Sequence, residues 1–311
     1  MKKKYVSYLG TVLFSVLLLS LCWWAISREL KAYNYQDIAN SLVNLPIARL
    51  LFSILLAALG YGIMTISDAL AVRYVRYPLP WYKTTLAAFT SVTISNSLGF
   101  ALVTGSAIRY RLYSAWGLSK VAIAQIIAYG NLSFWVGMCA VGGVLFVTQP
   151  LAIPAIIDLS FASMQIIGGI FLSLAIAYLI LSILTHNRAL HIKNHVFRIP
   201  SLQLSLAQIS ICGLDWAIAA GVLYTLLISP GLSFPAFFSI YLLAQLSGII
   251  SHIPGGLGVF ETVIIFLLQP QVKPDAAIAS LLAYRAVYYL LPLSIGVVLL
   301  AGYELRDRLR K

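Results

Sequence analysis

The segment IARLLFSILLAALGYGIMTISDAL, residues 47–70, is the kind of stretch that decides the fold of this chain. Between Arg49 and Asp68 it has no charged side chain. A helix of about 20 apolar residues crosses the hydrocarbon core of a bilayer and satisfies its backbone hydrogen bonds internally, as that solvent requires. The segment therefore predicts a transmembrane helix.

The composition extends this prediction to the whole chain. Of its 311 residues, 61% are hydrophobic and 10% are charged, and the mean hydropathy is +0.93. Soluble domains average roughly 45–50% apolar and about 25% charged residues. The values exclude a disordered, collagen-like or ordinary water-soluble protein, and they predict a single integral membrane domain over residues 1–311.

Five further apolar runs are long enough to span a membrane: 5–27, 119–147, 161–185, 203–229 and 276–301. Two other apolar regions are interrupted, 84–108 around Asn96-Ser97-Leu98-Gly99 and 236–269 around Pro254-Gly255-Gly256-Leu257-Gly258. We expect each to enter the membrane as a re-entrant helical hairpin. The predicted fold is an all-α polytopic membrane protein with six full spans and two such hairpins.

The charges predict how the chain is oriented. The net charge is +12, but the cations lie in short clusters between apolar runs, as orientation signals do, so we expect no nucleic-acid partner. If both hairpins return to the side from which they enter, 16 of the 21 Lys and Arg residues lie on one side. The positive-inside rule makes that side cytoplasmic, and both termini lie there. A full crossing by 84–108 would instead place Arg109 and Arg111 outside.

Residues 5–147 and 161–301 follow the same order of span, span, hairpin and span, starting from opposite sides. The two segments have 143 and 141 residues. This order predicts an inverted-topology repeat, the plan of many secondary transporters. Because the halves share no recognisable sequence, a coincidence of length and order is the alternative.

The glycine-rich stretch from Pro254 to Glu261 is the most specific candidate site. Proline stops the preceding helix, and Gly255, Gly256 and Gly258 allow backbone angles that other residues avoid. Glu261 opens the next helix, where the N-terminal dipole favours a carboxylate. The break either lines a substrate cavity, with Glu261 binding a cation or a proton, or is a structural helix break that Glu261 caps. His252 lies beside it.

Ionisable residues inside spans are costly and usually face the bundle interior. Asp68, Asp215 and Arg285 share this property with Glu261. Arg285 is expected to pair with Glu261 or Asp215, either to hold the fold or to bind substrate. For Asp215 the alternative is a hydrogen bond from Gln208 or Ser210, and for Asp68 it is simple proximity to Arg73.

The first hairpin carries a second group of candidates. Asn96 and its neighbouring small residues either pack helices closely or line a polar path. Arg109 and Arg111 follow at the cytoplasmic end of the hairpin. They either grip an anionic phosphate headgroup or only orient the chain.

The sequence shows no sign of catalytic or metal chemistry. Cys22, Cys139 and Cys212 lie in separate apolar runs without a CxxC pair, so we expect neither a disulfide nor a metal site. The HExxH, GxSxG, P-loop and GxGxxG motifs are absent from the sequence. We therefore expect no cofactor, and no enzyme signature is visible.

The chain resembles the lysylphosphatidylglycerol synthase transmembrane family, which includes the flippase half of the bacterial multiple peptide resistance factor. The stretch Pro254-Gly255-Gly256-Leu257-Gly258-Val259-Phe260-Glu261 carries the resemblance most specifically. Thr104-Gly105-Ser106-Ala107-Ile108-Arg109-Tyr110-Arg111-Leu112-Tyr113 also looks like a family motif, and Asp215-Trp216 and Arg285 lie where the family pattern places them. The resemblance implies a protein of the bacterial inner membrane.

What the resemblance implies for function is lipid translocation. In bifunctional family members a soluble aminoacyltransferase domain follows this region, whereas the present sequence ends at Lys311. We therefore expect a flippase-like transporter for an anionic or aminoacylated phospholipid or a related lipid. The alternatives are a membrane subunit that presents lipid to a separate transferase, and a secondary transporter for a small solute. The oligomeric state is open.

Overall fold

A computed structural model describes residues 45–98, 101–149, 161–185, 189–192, 195–198, 200–227, 232–251, 253–269 and 271–309. The predicted first span, 5–27, lies outside these residues. In chain order the described α-helices are α1 (Ile47–Tyr74), α2 (Trp81–Leu98), α3 (Ala101–Ala115), α4 (Lys120–Thr148), α5 (Phe161–Thr185), α6 (Leu202–Leu226), α7 (Phe234–Ile250), α8 (Val259–Leu268), α9 (Pro274–Tyr284) and α10 (Leu291–Leu309). A 3₁₀ turn, Pro254–Gly256, precedes α8, and a π-helical segment, Arg285–Leu290, joins α9 to α10.

Five helices in the described part of the chain are long and apolar enough to cross a membrane. They are α1, α4, α5, α6 and the continuous helix from Pro274 to Arg306, which contains α9, the π segment and most of α10. The all-α polytopic membrane fold that the sequence predicts is therefore confirmed.

The first interrupted region forms a helical pair, with α2 packed against α3. The predicted end of the second arm at residue 108 was wrong, because α3 has 15 residues and continues to Ala115. At 1.5 Å per residue it is about 22 Å long, still short of the roughly 30 Å hydrocarbon core. The helix continues because carboxylates on other helices meet the charges of Arg109 and Arg111.

The second interrupted region is also a helical pair, with α7 packed against α8. The break between these helices lies where the sequence predicts it. Gly255, Gly256 and Gly258 have φ angles of 67°, 61° and 83°, a region that side chains with a Cβ rarely adopt. The three glycines turn the chain sharply, and α8 then runs for only 10 residues.

Two short β-strands lie between α5 and α6. Residues Ala189–Ile192 and His195–Arg198 form two antiparallel strands, in register from Ala189 with Arg198 to Ile192 with His195. The pairing gives the backbone N–H and C=O groups of this connection partners within the segment.

The helix contacts follow one pattern in both halves of the chain. Helix α1 packs on α6, and each contact of the first half has a counterpart in the second. The pairs are α1–α2 with α6–α7, α2–α3 with α7–α8, α3–α4 with α8–α9, α1–α4 with α6–α9, and α2–α10 with α7–α4. The two halves of the described chain therefore share a common pattern of helix contacts.

Candidate functional site

Glu261, the third residue of α8, caps the N-terminus of that helix with its side chain, while Gly258 is the N-cap residue. Its Oε2 accepts a hydrogen bond of 2.8 Å from the backbone N–H of Gly258. A carboxylate in the first turn also complements the positive end of the helix dipole. The capping role that the sequence left open is therefore present, and it holds the glycine turn against α8.

Arg285 forms an ion pair with the same carboxylate. Its Nε and Nη2 lie 2.7 Å and 2.6 Å from Glu261 Oε1, and its Nη1 donates to the carbonyl oxygen of Gly255 over 3.1 Å. Arg285 is 1% exposed and Glu261 is 8% exposed. Of the two acids predicted as partners for Arg285, it is Glu261 that forms the pair. Through Glu261 and the Gly255 carbonyl oxygen, Arg285 links both sides of the glycine turn to the last helix.

Arg285 is also the first residue of the π segment, which the sequence analysis missed. Such segments are uncommon and are frequent at functional sites. The carbonyl oxygen of Tyr288 within it accepts a 2.9 Å hydrogen bond from the hydroxyl of Tyr61 on α1. The wider turn therefore brings Arg285 to Glu261 and gives α1 a backbone acceptor.

A cluster of tyrosines surrounds this pair. The Tyr241 and Tyr284 hydroxyls are 2.8 Å apart, and the Tyr284 and Tyr288 rings stack with centroids 5.2 Å apart. The ring of Tyr289 lies 4.5 Å from Arg285 Cζ, a cation–π contact. This cluster was not predicted from the sequence, although Tyr284 and Tyr288 are spaced by one helical turn.

Asp215 lies on α6 beside the tyrosine cluster. Tyr61, Tyr241 and Tyr288 are close enough to interact electrostatically with its carboxylate. Its Oδ1 is buried and has no hydrogen-bond partner among the described residues. Buried side-chain oxygen atoms almost always have a hydrogen-bond partner, so a carboxylate oxygen without one is unusual.

The alternative of a Gln208 hydrogen bond to Asp215 was wrong. The Gln208 side chain instead donates to Ser133 Oγ over 2.7 Å and accepts from the Tyr178 hydroxyl. It therefore belongs to a polar network that joins α4, α5 and α6. Networks of this kind hold helices together in a bilayer.

The two hairpins meet at this site. Helix α2 contacts both the Pro254–Gly256 turn and the π segment. Asn96, near the end of α2, has its side chain within hydrogen-bonding reach of Tyr61. The structure therefore brings Asn96, Glu261 and Arg285 into one region, whereas His252 lies outside the described residues.

Asp68 and Arg109 form a second buried ion pair, away from this region. Arg109 donates from Nε to Oδ2 over 3.0 Å and from Nη2 to Oδ1 over 2.8 Å, and the Tyr113 hydroxyl donates to Oδ2 over 3.4 Å. The prediction that Asp68 faces Arg73 was wrong, because the partner comes from the first hairpin. The pair fastens α3 to α1.

Arg111 is likewise paired, with an acid that the sequence analysis did not consider. Its Nη2 donates to Glu304 Oε2 on α10 over 2.9 Å. Glu304 is 7% exposed. Because it lies among the charged residues near the end of the sequence, its pairing with Arg111 was not predicted. Both arginines proposed to bind a headgroup thus have a carboxylate partner in the structure.

The chain has relatives along most of its length. The family model described as the lysylphosphatidylglycerol synthase TM region matches residues 9–296. Uncharacterized protein slr0712 of Synechocystis sp. is 46% identical over 292 residues, which cover 92% of this chain and 89% of that protein. Inner membrane protein YbhN of Escherichia coli is 28% identical over 271 residues, covering 86% of this chain and 84% of that protein.

A larger relative matches only in part. Phosphatidylglycerol lysyltransferase of Staphylococcus xylosus is 24% identical over an aligned length of 325 residues, which covers 100% of this chain but 36% of that protein. The similarity thus lies within about a third of the transferase. With a family match from residue 9 to residue 296, the chain belongs to the family of the lysylphosphatidylglycerol synthase TM region.

Proposed function

We propose that this protein is a lipid translocase of the bacterial inner membrane. Its substrate would be an anionic or aminoacylated phospholipid or a related lipid. The relationship to phosphatidylglycerol lysyltransferase supports a phospholipid as the molecule handled, and the relationship to an inner membrane protein supports the location.

The observation that carries the proposal is the meeting of the two interrupted regions beside Asp215. Helix α2 reaches the glycine turn and the π segment, and the buried Oδ1 of Asp215 has no hydrogen-bond partner among the described residues. Broken helices that meet near the middle of a bundle are where transporters bind substrates and coupling ions. Asp215 is therefore the residue to which we assign contact with a cationic group, an ion or a proton.

The matched helix contacts of the two halves support the predicted inverted repeat. Such a repeat would open one cavity to each side of the membrane in turn. Residues 5–147 and 161–301 remain the proposed repeats, with both termini in the cytoplasm.

The Glu261–Arg285 pair has a different proposed role. Because it is buried and holds both Gly255 and Gly258, we assign it to maintaining the break rather than to gripping a lipid. Replacing Glu261 would disturb this support, so Asp215 is the sharper position for a transport test.

The test is a flipping assay in liposomes that contain the purified full chain and a trace of fluorescent phosphatidylglycerol. A membrane-impermeant reductant destroys the outer-leaflet fluorophore, and the protected fraction then decays only as lipid crosses. We expect the wild-type protein to speed this decay and Asp215→Asn to slow it about tenfold or more, the loss expected from one interaction of about 1.4 kcal/mol. Asp275→Asn, the same change at an exposed acid of α9, should flip lipid as the wild type does.

Liposomes with wild-type protein that decay like protein-free ones would contradict the proposal. Flipping only after a transferase is added would favour the second candidate, a membrane subunit that presents lipid. That candidate is supported by the match to the membrane part of a lysyltransferase. Uptake of a soluble solute without lipid movement would point to a small-solute transporter.

A further inference from the structure

A hollow of about 560 Å³ lies between the start of α2, the end of α3 and the end of α10. Its walls include Lys83, Leu86, Trp116, Leu299, Gly302 and Arg306. The volume is within the range of roughly 300–1,000 Å³ that is usual for small-molecule sites. The hollow is separate from the meeting point of the hairpins described above.

Two cationic side chains, Lys83 and Arg306, line the hollow. Lys83 Nζ lies 5.5 Å from the centre of the Trp116 ring, and the indole N–H of Trp116 donates to the Tyr303 hydroxyl over 2.9 Å. Within the described side chains, neither Lys83 nor Arg306 forms an ion pair with an acid. The neighbouring Arg111, in contrast, is held by Glu304. Two positive charges therefore face the hollow without a protein counter-charge in the described region.

Other lining residues of the hollow, and exposed residues near it, are apolar or aromatic. Leu86 and Leu299 line the hollow, and next to Leu299 the side chain of Val298 is 70% exposed. Trp81 and Tyr82 at the start of α2 are 80% and 58% exposed. Tryptophan and tyrosine collect at the headgroup level of a bilayer, while exposed aliphatic residues of a membrane helix face acyl chains. The hollow is therefore lined both by leucines that can contact acyl chains and by the cations Lys83 and Arg306.

We propose that this hollow binds an anionic phospholipid, with Lys83 and Arg306 at the phosphate and the acyl chains along Leu86 and Leu299. A phospholipid is the occupant that matches both kinds of lining residue, since the cations suit its phosphate and the leucines suit its tails. The proposal deepens the proposed function, on which it rests for the kind of substrate. It also transfers the headgroup role predicted for Arg109 and Arg111 to two nearby cations without a carboxylate partner in the described region.

Gly302 offers a way to close the site without removing a charge. It lies on the wall of the hollow, and a Cβ built on it meets no atom within 4 Å. Gly302→Phe should therefore fill the hollow while leaving the helix intact. Gly62 on α1 is a matched control, because a Cβ there also meets no atom within 4 Å and the residue is exposed.

The experiment titrates the purified full chain, in a nonionic detergent, with short-chain phosphatidylglycerol and follows the shift in thermal unfolding. The double variant Lys83→Gln/Arg306→Gln should weaken the lipid's Kd about thirtyfold, as expected for two cations beside an anionic headgroup. Gly302→Phe should weaken it at least as much. Two controls, Arg73→Gln/Lys120→Gln and Gly62→Phe, should bind as the wild type does, since they remove the same charge or add the same ring elsewhere on the surface.

Three outcomes would overturn the proposal. They are equal binding by the Lys83/Arg306 variant and its charge control, unchanged binding by Gly302→Phe, and equally tight binding of glycerol 3-phosphate, which would make the hollow a site for a free phosphate. If the double variant does not fold, Gly302→Phe decides, because it retains both cations. Binding is measured without transport, so a failure here is distinguishable from a failure of the flipping assay.

Discussion

At the residue scale, the acids in the interior of the described region differ in whether they have an arginine partner. Asp68, Glu261 and Glu304 each have an arginine partner from another helix, whereas the buried Oδ1 of Asp215 has no partner among the described residues. Removing two charges from water is costly, and their attraction repays this only when the geometry is good and the remaining hydrogen bonds are made. The Asp68–Arg109 and Glu261–Arg285 pairs make such further hydrogen bonds, with Tyr113 and with the glycine turn, and so fasten helices.

The Glu261–Arg285 pair leads to a prediction about stability. Arg285→Ala and Glu261→Gln should each lower the free energy of unfolding by about 3–5 kcal/mol, because each leaves a buried charge without its partner. The double variant should lose less than the sum, with a coupling energy of about 0.5–3 kcal/mol. Denaturant unfolding of the four proteins in detergent measures the cycle.

A second cycle, Arg285→Ala with Asp215→Asn, is the control for this prediction. We expect a weaker coupling there, since the structure places the arginine on Glu261 rather than on Asp215. Equal coupling in both cycles would contradict the pairing.

At the scale of the elements, small residues decide how closely helices approach. Helices α4 and α6 touch where a Cβ added to Gly137 would lie 2.5 Å from Cys212 Cβ. Close backbone approach at small residues is a main source of helix association in a bilayer, where apolar side chains gain little by leaving lipid. The α4–α6 contact therefore depends on the missing side chain of Gly137.

Two glycines of α4 provide a matched test. Gly137→Ala should destabilise the protein by about 1–3 kcal/mol, the usual cost of overpacking a filled contact. Gly130→Ala on the same helix should be neutral or stabilising, because its Cβ would meet no atom within 4 Å and alanine favours the helix. Thermal unfolding in detergent compares the two. Equal losses in the two variants would contradict the proposed role of the contact with α6.

At the scale of the whole molecule, the proposed inverted repeat makes the side of each connection testable. Ser114, Ser233 and Gln271 have exposed side chains, so a cysteine at each is accessible from whichever side it faces. We expect an impermeant thiol reagent on intact cells to label Ser233→Cys and Gln271→Cys but not Ser114→Cys. The variants are made in a chain whose three native cysteines have been replaced.

Permeabilised cells supply the control for this experiment. Ser114→Cys should become labelled once the reagent reaches the cytoplasm, which shows that the thiol itself is reactive. Labelling of Ser114→Cys on intact cells would mean that residues 84–108 cross the membrane. That result would contradict the predicted first hairpin. It would also contradict the inverted repeat that supports the transport proposal.

The hydrophobic pattern of the sequence by itself determined the membrane class and the positions of the helices. Runs such as 47–70 have one stable conformation in lipid, because only a helix satisfies the backbone there. The break at Gly255, Gly256 and Gly258 was also predictable, since three glycines after a proline favour a turn whatever surrounds them. These features depend on residues close together in the chain.

Only the tertiary structure decided which charges meet. Arg111 and Glu304 are separated by 193 positions, and Asp68 pairs with Arg109 rather than with Arg73. The π segment that carries Arg285 to Glu261 and the hollow beside Lys83 also escaped the sequence. Ion pairs and hollows depend on distances between helices that pack side by side, and apolar periodicity reports that a helix is buried without reporting which helix lies against it.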